Sequence, residues 1–117
     1  MGVSVVTGTL VDEAEAFERL TQAGLHVMKL EVPADDNEAH WHHFDAEFYI
    51  LAGALQLTDV ARGRVVDCPA GSRVILPART LHAERSDGYT IVLGTSVPPE
   101  AFGEPVNRPA TELDQTE

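Results

Sequence analysis

The stretch His40-Trp41-His42-His43-Phe44-Asp45-Ala46-Glu47-Phe48-Tyr49-Ile50-Leu51-Ala52-Gly53 decides how this chain is read. It opens on three histidines in four residues and runs into a block of strand formers that reaches a glycine. In an extended strand residues i and i+2 share a face, so His40 and His42 project together while Trp41 and His43 face the other way. Their backbones then lie roughly 6 to 7 Å apart, from a rise of about 3.3 Å per residue. Two imidazoles so placed can grip one metal ion, and Asp45 and Glu47 follow as carboxylate candidates. Phe48 to Leu57 reads as two strands, or one long bent strand, with Gly53 at the corner.

On the N-terminal side, Val3, Val5 and Thr7 alternate with Ser4 and Val6 in a short β-like opening that Gly8 interrupts. Ala14, Phe17, Leu20 and Ala23 recur at helical spacing. With Asp12 in the N-cap place and Gly24 at the end, they predict a short amphipathic helix. Leu25 to Val32 predicts a strand with Met28, Leu30 and Val32 on one face and Lys29 and Glu31 on the other, stopped by Pro33. On the C-terminal side, β runs at Arg64 to Asp67, Arg73 to Leu76, Leu81 to Glu84 and Tyr89 to Thr95 follow. They are separated by the turn sequences Pro69-Ala70-Gly71, Pro77-Ala78-Arg79 and Ser86-Asp87-Gly88. Many short strands at near-regular intervals mean an all-β sandwich or small barrel, here with one helix at the front. From Pro98 the chain holds four prolines and little apolar periodicity. Residues 1–97 are therefore expected to form the barrel domain, and 98–117 a tail that packs on it or frays.

The chain has 117 residues, 44% of them hydrophobic, which suits one compact core and leaves no room for a separate nucleotide-binding domain. Eight Lys and Arg stand against nineteen Asp and Glu, a formal charge of -11. A field of that sign repels phosphates and anionic lipid, so neither nucleic acid nor a membrane surface is the expected partner. No apolar run is long enough to span a bilayer, and the N-terminus lacks the pattern of a secretion signal. A single cysteine, Cys68, suits a reducing cytoplasm.

His40-x-His42-x4-Glu47, followed by the strand Phe48 to Ala52 and Gly53, resembles the first motif of the cupins, G-x5-H-x-H-x3,4-E-x6-G. Gly71-x5-Pro77-x-Arg79-x2-His82-x3-Ser86 resembles their second, G-x5-P-x-G-x2-H-x3-N. The two together span residues 40 to 86, and the order of their parts is more specific than the isolated H-x-H. The resemblance, to the small single-domain cupin 2 type, implies an all-β jelly-roll β-barrel. It further implies histidines pointing into the barrel mouth around a divalent transition metal (Fe, Ni, Mn, Zn or Cu), and a homodimer. By this resemblance His40, His42, Glu47 and His82 are the expected metal ligands.

Three positions depart from the pattern. Ala34 replaces the first glycine of motif one. Arg79 replaces the second glycine of motif two, so the turn must avoid a positive φ there or tolerate it. Counting forward from His42 puts Glu47 in the ligand place, whereas counting back from Gly53 puts Ala46 there. In a regular strand Ala46, Phe48 and Ile50 share one face and Glu47, Tyr49 and Leu51 the other, so both counts hold only if the strand is bulged. Either Glu47 is a fourth ligand, with Asp45 the lesser candidate, or three histidines remain, which resembles the iron site of the thiol dioxygenases. A neutral triad leaves the metal its full charge and favours an anionic or enolate-like substrate.

Phe48 and Ile50 are expected to line an apolar substrate pocket beneath the metal, and Arg79 is a candidate to bind a substrate carboxylate at the mouth. His43 reads as a surface residue, His26 as structural, Trp41 as packing, and Cys68 as no nucleophile. The expected function is a metal-binding cupin acting on a small molecule, with dioxygenase the reaction named first. Isomerase and decarboxylase follow, and a non-catalytic metabolite-binding or sensing barrel is the alternative.

Overall fold

The computed structural model describes residues 3–9, 11–102 and 107–109. Strand β1 (Ser4–Val6) leads to helix α1 (Glu13–Gln22), then β2 (His26–Val32), β3 (Asp35–Asp36), β4 (His40–Trp41) and β5 (Ala46–Asp59). β6 (Arg64–Pro69), β7 (Arg73–Leu76), β8 (His82–Thr95), a 3-10 turn (Pro99–Ala101) and β9 (Arg108–Pro109) complete the described elements. The nine strands form one antiparallel sheet that curls around a single interior core, a jelly-roll-type β-barrel with a short N-terminal helix.

Two fourteen-residue strands, β5 and β8, carry the architecture. β5 pairs with β8 along its whole length and takes β7 beside its first half and β6 beside its second. β8 takes β2 along Tyr89 to Thr95 and β3 and β4 along His82 to Ser86. Both can be so long because β5 bends at two register shifts, between Ile50 and Ala52 and between Gly53 and Leu55. Gly53, at φ +79°, makes the corner: a Cβ there would lie 2.4 Å from the Gly88 carbonyl oxygen. The alternatives of two strands or one bent strand resolve as one bent strand.

Two apolar clusters separate the faces of β5. Ala46, Phe48 and Ile50 point into the barrel with Val74, Leu76 and Ile91. Tyr49 points outward with Val92, against Ala16 and Leu20 of α1, and Leu51 packs on the same cluster. Asp12 caps the helix by accepting from the Glu15 N–H at 2.8 Å, as its sequence position suggests. In β2, Leu30 and Val32 face the barrel mouth while Lys29 reaches outward to Glu13 at 2.9 Å. No helix among the described residues is long and apolar enough to cross a membrane.

Part of the C-terminal tail packs on the barrel. β9 pairs with β4, placing Pro109 opposite His40 and Arg108 opposite Trp41, and Phe102 stacks on Phe44 with ring centroids 4.4 Å apart. Residues 103–106 and 110–117 of the tail lie outside the described residues.

Candidate metal centre

His40 comes from β4, His42 from the residue just past it, and His82 from the first residue of β8. Antiparallel register sets His40 directly opposite His82, so residues 42 positions apart in the chain meet through one strand pair. One ligand atom from each of His40, His42 and His82 lies within 4.8 Å of the other two. The ring centroids of His40 and His82 are 4.4 Å apart, and His42 is 5.2 and 5.1 Å from them.

The backbone sets the tautomers. His40 Nδ1 donates to the Glu38 carbonyl at 2.7 Å, and His82 Nδ1 donates to the Thr80 carbonyl at 2.9 Å. A carbonyl oxygen only accepts, so Nδ1 carries a proton in both rings, and the neutral form of each has its lone pair on Nε2. His82 is 1% exposed, and its Nε2 has no hydrogen-bond partner. Burial, with repulsion from His40 and His42 added to it, pushes the His82 pKa down to about 4, so the ring is neutral near pH 7. An orphaned, neutral, buried ring nitrogen beside two further imidazoles fits a divalent cation, which would satisfy it. Three imidazoles suit Zn, Cu, Fe or Ni.

Glu47 is not brought to this cluster, a correction to the four-ligand expectation. The segment Ala46 to Ile50 pairs regularly with β8, and the bulges come only after Ile50. Glu47 therefore keeps the outward parity of Tyr49, and its Oε2 accepts from Arg73 Nε at 2.8 Å. Asp45 is also absent from the cluster: its Oδ1 accepts from the Ala78 N–H at 2.7 Å and so ties the Pro77 turn to the start of β5.

Arg79 does adopt a positive φ, +64°, so the turn keeps the glycine conformation at a strain of about 1 kcal/mol. That conformation aims the Arg79 N–H at the His42 carbonyl, 2.8 Å away. Its guanidinium lies 5.3 Å from the centre of the buried Trp41 ring, with Arg108 at 5.6 Å from the same ring. The expected carboxylate anchor thus has its guanidinium beside Trp41 and lines no part of the cavity next to the triad.

That cavity, of about 350 Å³, adjoins the triad at His42. Phe44, Phe48, Ile91 and Leu93 supply its apolar wall. Phe48 thus lines it as expected, whereas Ile50 is packed in the core and does not. Phe102 and Asn107 bring the C-terminal segment to the rim, and an aromatic file runs from Phe102 through Phe44 to His42. His43 lies outside, its Nε2–H donating to the Phe102 carbonyl, and His26 is exposed at the start of β2.

Sequence reasoning missed one polar residue, Glu84. It lies two residues after His82 on β8, hence on the same face, and its Oε1 is 4.0 Å from His82 Nε2. The Tyr89 hydroxyl donates to Glu84 Oε2 at 3.5 Å, and the Asn37 side chain also hydrogen-bonds it. Burial raises the pKa of this carboxyl, offset in part by the field of His40. The parity rule applied to His82, as it was to His40, would have found it. Cys68 is fully buried, and burial raises its pKa to about 11, which leaves it a poor nucleophile.

No family model matches the chain, and no curated protein matches it in sequence. Solved structures do. A 3,4-ketoisomerase from Helicobacter canadensis superposes with a TM-score of 0.66 at 14% identity, over 99% of this chain and 97% of its own. A cupin-2 domain containing protein from Shewanella frigidimarina does so with a TM-score of 0.50 at 18% identity, over 62% of this chain and 69% of its own. Oxalate decarboxylase from Bacillus subtilis, a protein with Mn(II) centres, gives 0.52 at 18% identity, over 93% of this chain but 28% of its own. At these identities the likeness is one of fold: the chain has a cupin-like β-barrel fold.

Proposed function

We propose that this domain holds one divalent transition metal through His40, His42 and His82 and acts with it on a small molecule seated in the adjoining cavity. The observation that carries this reading is the buried His82 Nε2, partnerless and facing two further imidazoles. A bound ion would supply Lewis acidity to a substrate oxygen and, were it iron, access to O2 chemistry. The chain's own groups do the remaining work. The Glu38 and Thr80 carbonyls hold two of the rings in the ligand tautomer, and Phe44, Phe48, Ile91 and Leu93 give the cavity an apolar wall for the body of a ligand.

Oxidation of a small oxygen-bearing substrate by O2 is the reaction proposed first, because it asks little of the protein beyond metal and pocket. The whole-chain likeness to a 3,4-ketoisomerase favours a second reading, proton transfer within a hydroxy-carbonyl compound in the same cavity. A homodimer in a reducing, cytoplasmic setting belongs to the same proposal and is read by light scattering and fractionation.

Elemental analysis of untagged protein, beside His82→Ala, tests the metal. About one transition metal per chain, lost in the variant, is the expected result; none in wild type even after reconstitution overturns the reading. On metal-loaded protein, O2 uptake with small enolic and thiol substrates identifies an oxygenase. Solvent deuterium incorporation into a hydroxy ketone without O2 uptake identifies an isomerase, and binding with neither identifies a binding barrel.

A further inference from the structure

We infer that Glu84, held by Tyr89, reads a hydrogen-bond donor on the ligand, so that the site prefers a hydroxy-carbonyl compound with an apolar body to the same compound without the hydroxyl. The inference deepens the reading of the triad as a metal centre and rests on it for the carbonyl end of the ligand. Three observations carry it.

First, the cavity brings an acceptor beside the triad. Glu84 lines it together with His42, and Glu84 Oε1 is 4.0 Å from His82 Nε2. Second, Glu84 is built in rather than solvated. Its side chain is 18% exposed, the Tyr89 hydroxyl donates to one carboxylate oxygen, and the Asn37 side chain bonds it as well. A partly buried acceptor confers specificity, because a ligand that covers it without a matching donor leaves it desolvated and poorly paired.

Third, no cationic side chain in the lining competes for Glu84. Among the described residues that line the cavity there is no Lys or Arg, and the ionisable carboxyls present are Asp35 and Glu84. Arg79, the residue that would have answered a carboxylate, lies against Trp41 and not in the lining. The remaining wall of Phe44, Phe48, Ile91 and Leu93 suits an aromatic or branched apolar body.

The test uses zinc-reconstituted protein and two probes: 2-hydroxyacetophenone, and acetophenone, which lacks the donor. Calorimetry reads affinity and elemental analysis reads zinc. Wild type is expected to prefer 2-hydroxyacetophenone to acetophenone about tenfold, the worth of one well-formed hydrogen bond. Glu84→Met is expected to bring the preference within twofold, and the isosteric Glu84→Gln to cut it to about threefold, both with zinc content unchanged. Zinc lost from both variants would make Glu84 a ligand instead and overturn the inference. So would an unchanged preference in both variants. Wild type that takes no zinc would refute the metal reading alone, since the probe preference on that same protein still decides the role of Glu84.

Discussion

Replacing His82 by leucine separates a residue kept for ligation from one kept for folding. In the metal-free protein the buried Nε2 has no partner, an unmade hydrogen bond that costs about 1–3 kcal/mol. Leucine has a similar volume and removes that deficit. It forfeits the Nδ1 bond to Thr80, about 1 kcal/mol, and its larger apolar surface returns about 1 kcal/mol. The metal-free His82→Leu protein is therefore expected to be as stable as wild type or more so, by about 1–2 kcal/mol. With zinc at a hundred times its Kd, wild type gains about 2.7 kcal/mol and the variant gains almost nothing, so the order of stabilities inverts. Urea titrations followed by fluorescence of Trp41, the single tryptophan, measure both states, one in EDTA and one in zinc. The reasoning is refuted if His82→Leu is more than about 2 kcal/mol less stable in EDTA, or if zinc stabilises both proteins equally.

Glu47→Gln should leave metal content untouched and lower stability by about 1 kcal/mol or less, since the Arg73 partner is 38% exposed; loss of metal would restore Glu47 as a ligand. Gly53→Ala should destabilise by about 3 kcal/mol or more, because its Cβ would meet the Gly88 carbonyl at 2.4 Å and Tyr89 Cα at 2.9 Å at a positive φ; a change under 1 kcal/mol in a urea titration would contradict the corner. Cys68 has a folded pKa near 11 against 9.0, so its thiol contributes stability that is complete below pH 9 and falls away towards pH 11, on the order of 2 kcal/mol. It should also resist a thiol reagent at pH 8 until the chain unfolds, and rapid native labelling would refute its burial. Phe102→Ala removes the ring stacked on Phe44 and should weaken 2-hydroxyacetophenone several-fold with metal content unchanged; unaltered affinity would remove the C-terminal segment from the cavity wall.

Much of the fold was legible because strand and helix signals are local. The alternation in Leu25 to Val32, the cap at Asp12 and the corner at Gly53 each report their own backbone, and the structure places β2, α1 and the bend there. The histidines were legible for a different reason: H-x-H and a later histidine, ordered among glycines and prolines, form a pattern that few arrangements produce. Glu47 was ambiguous because the spacing to Gly53 does not say where the bulge falls. It falls beyond Ile50, which leaves Glu47 on the outer face with Arg73. Arg79 read as an anchor by its chemistry, but its guanidinium lies against Trp41, a contact across 38 residues.

By itself, then, the sequence determined the all-β barrel with its front helix and the three imidazoles, since period-two alternation and parity act within a few residues. Only the tertiary structure decided the rest: that His40 and His82 face each other, that Glu47 turns away, and that Glu84 and Tyr89 close the polar side of the cavity. Those outcomes depend on register between strands distant in the chain. A shift of one residue exchanges every inward side chain for an outward one, so the composition of either strand alone cannot settle which carboxylate enters the barrel.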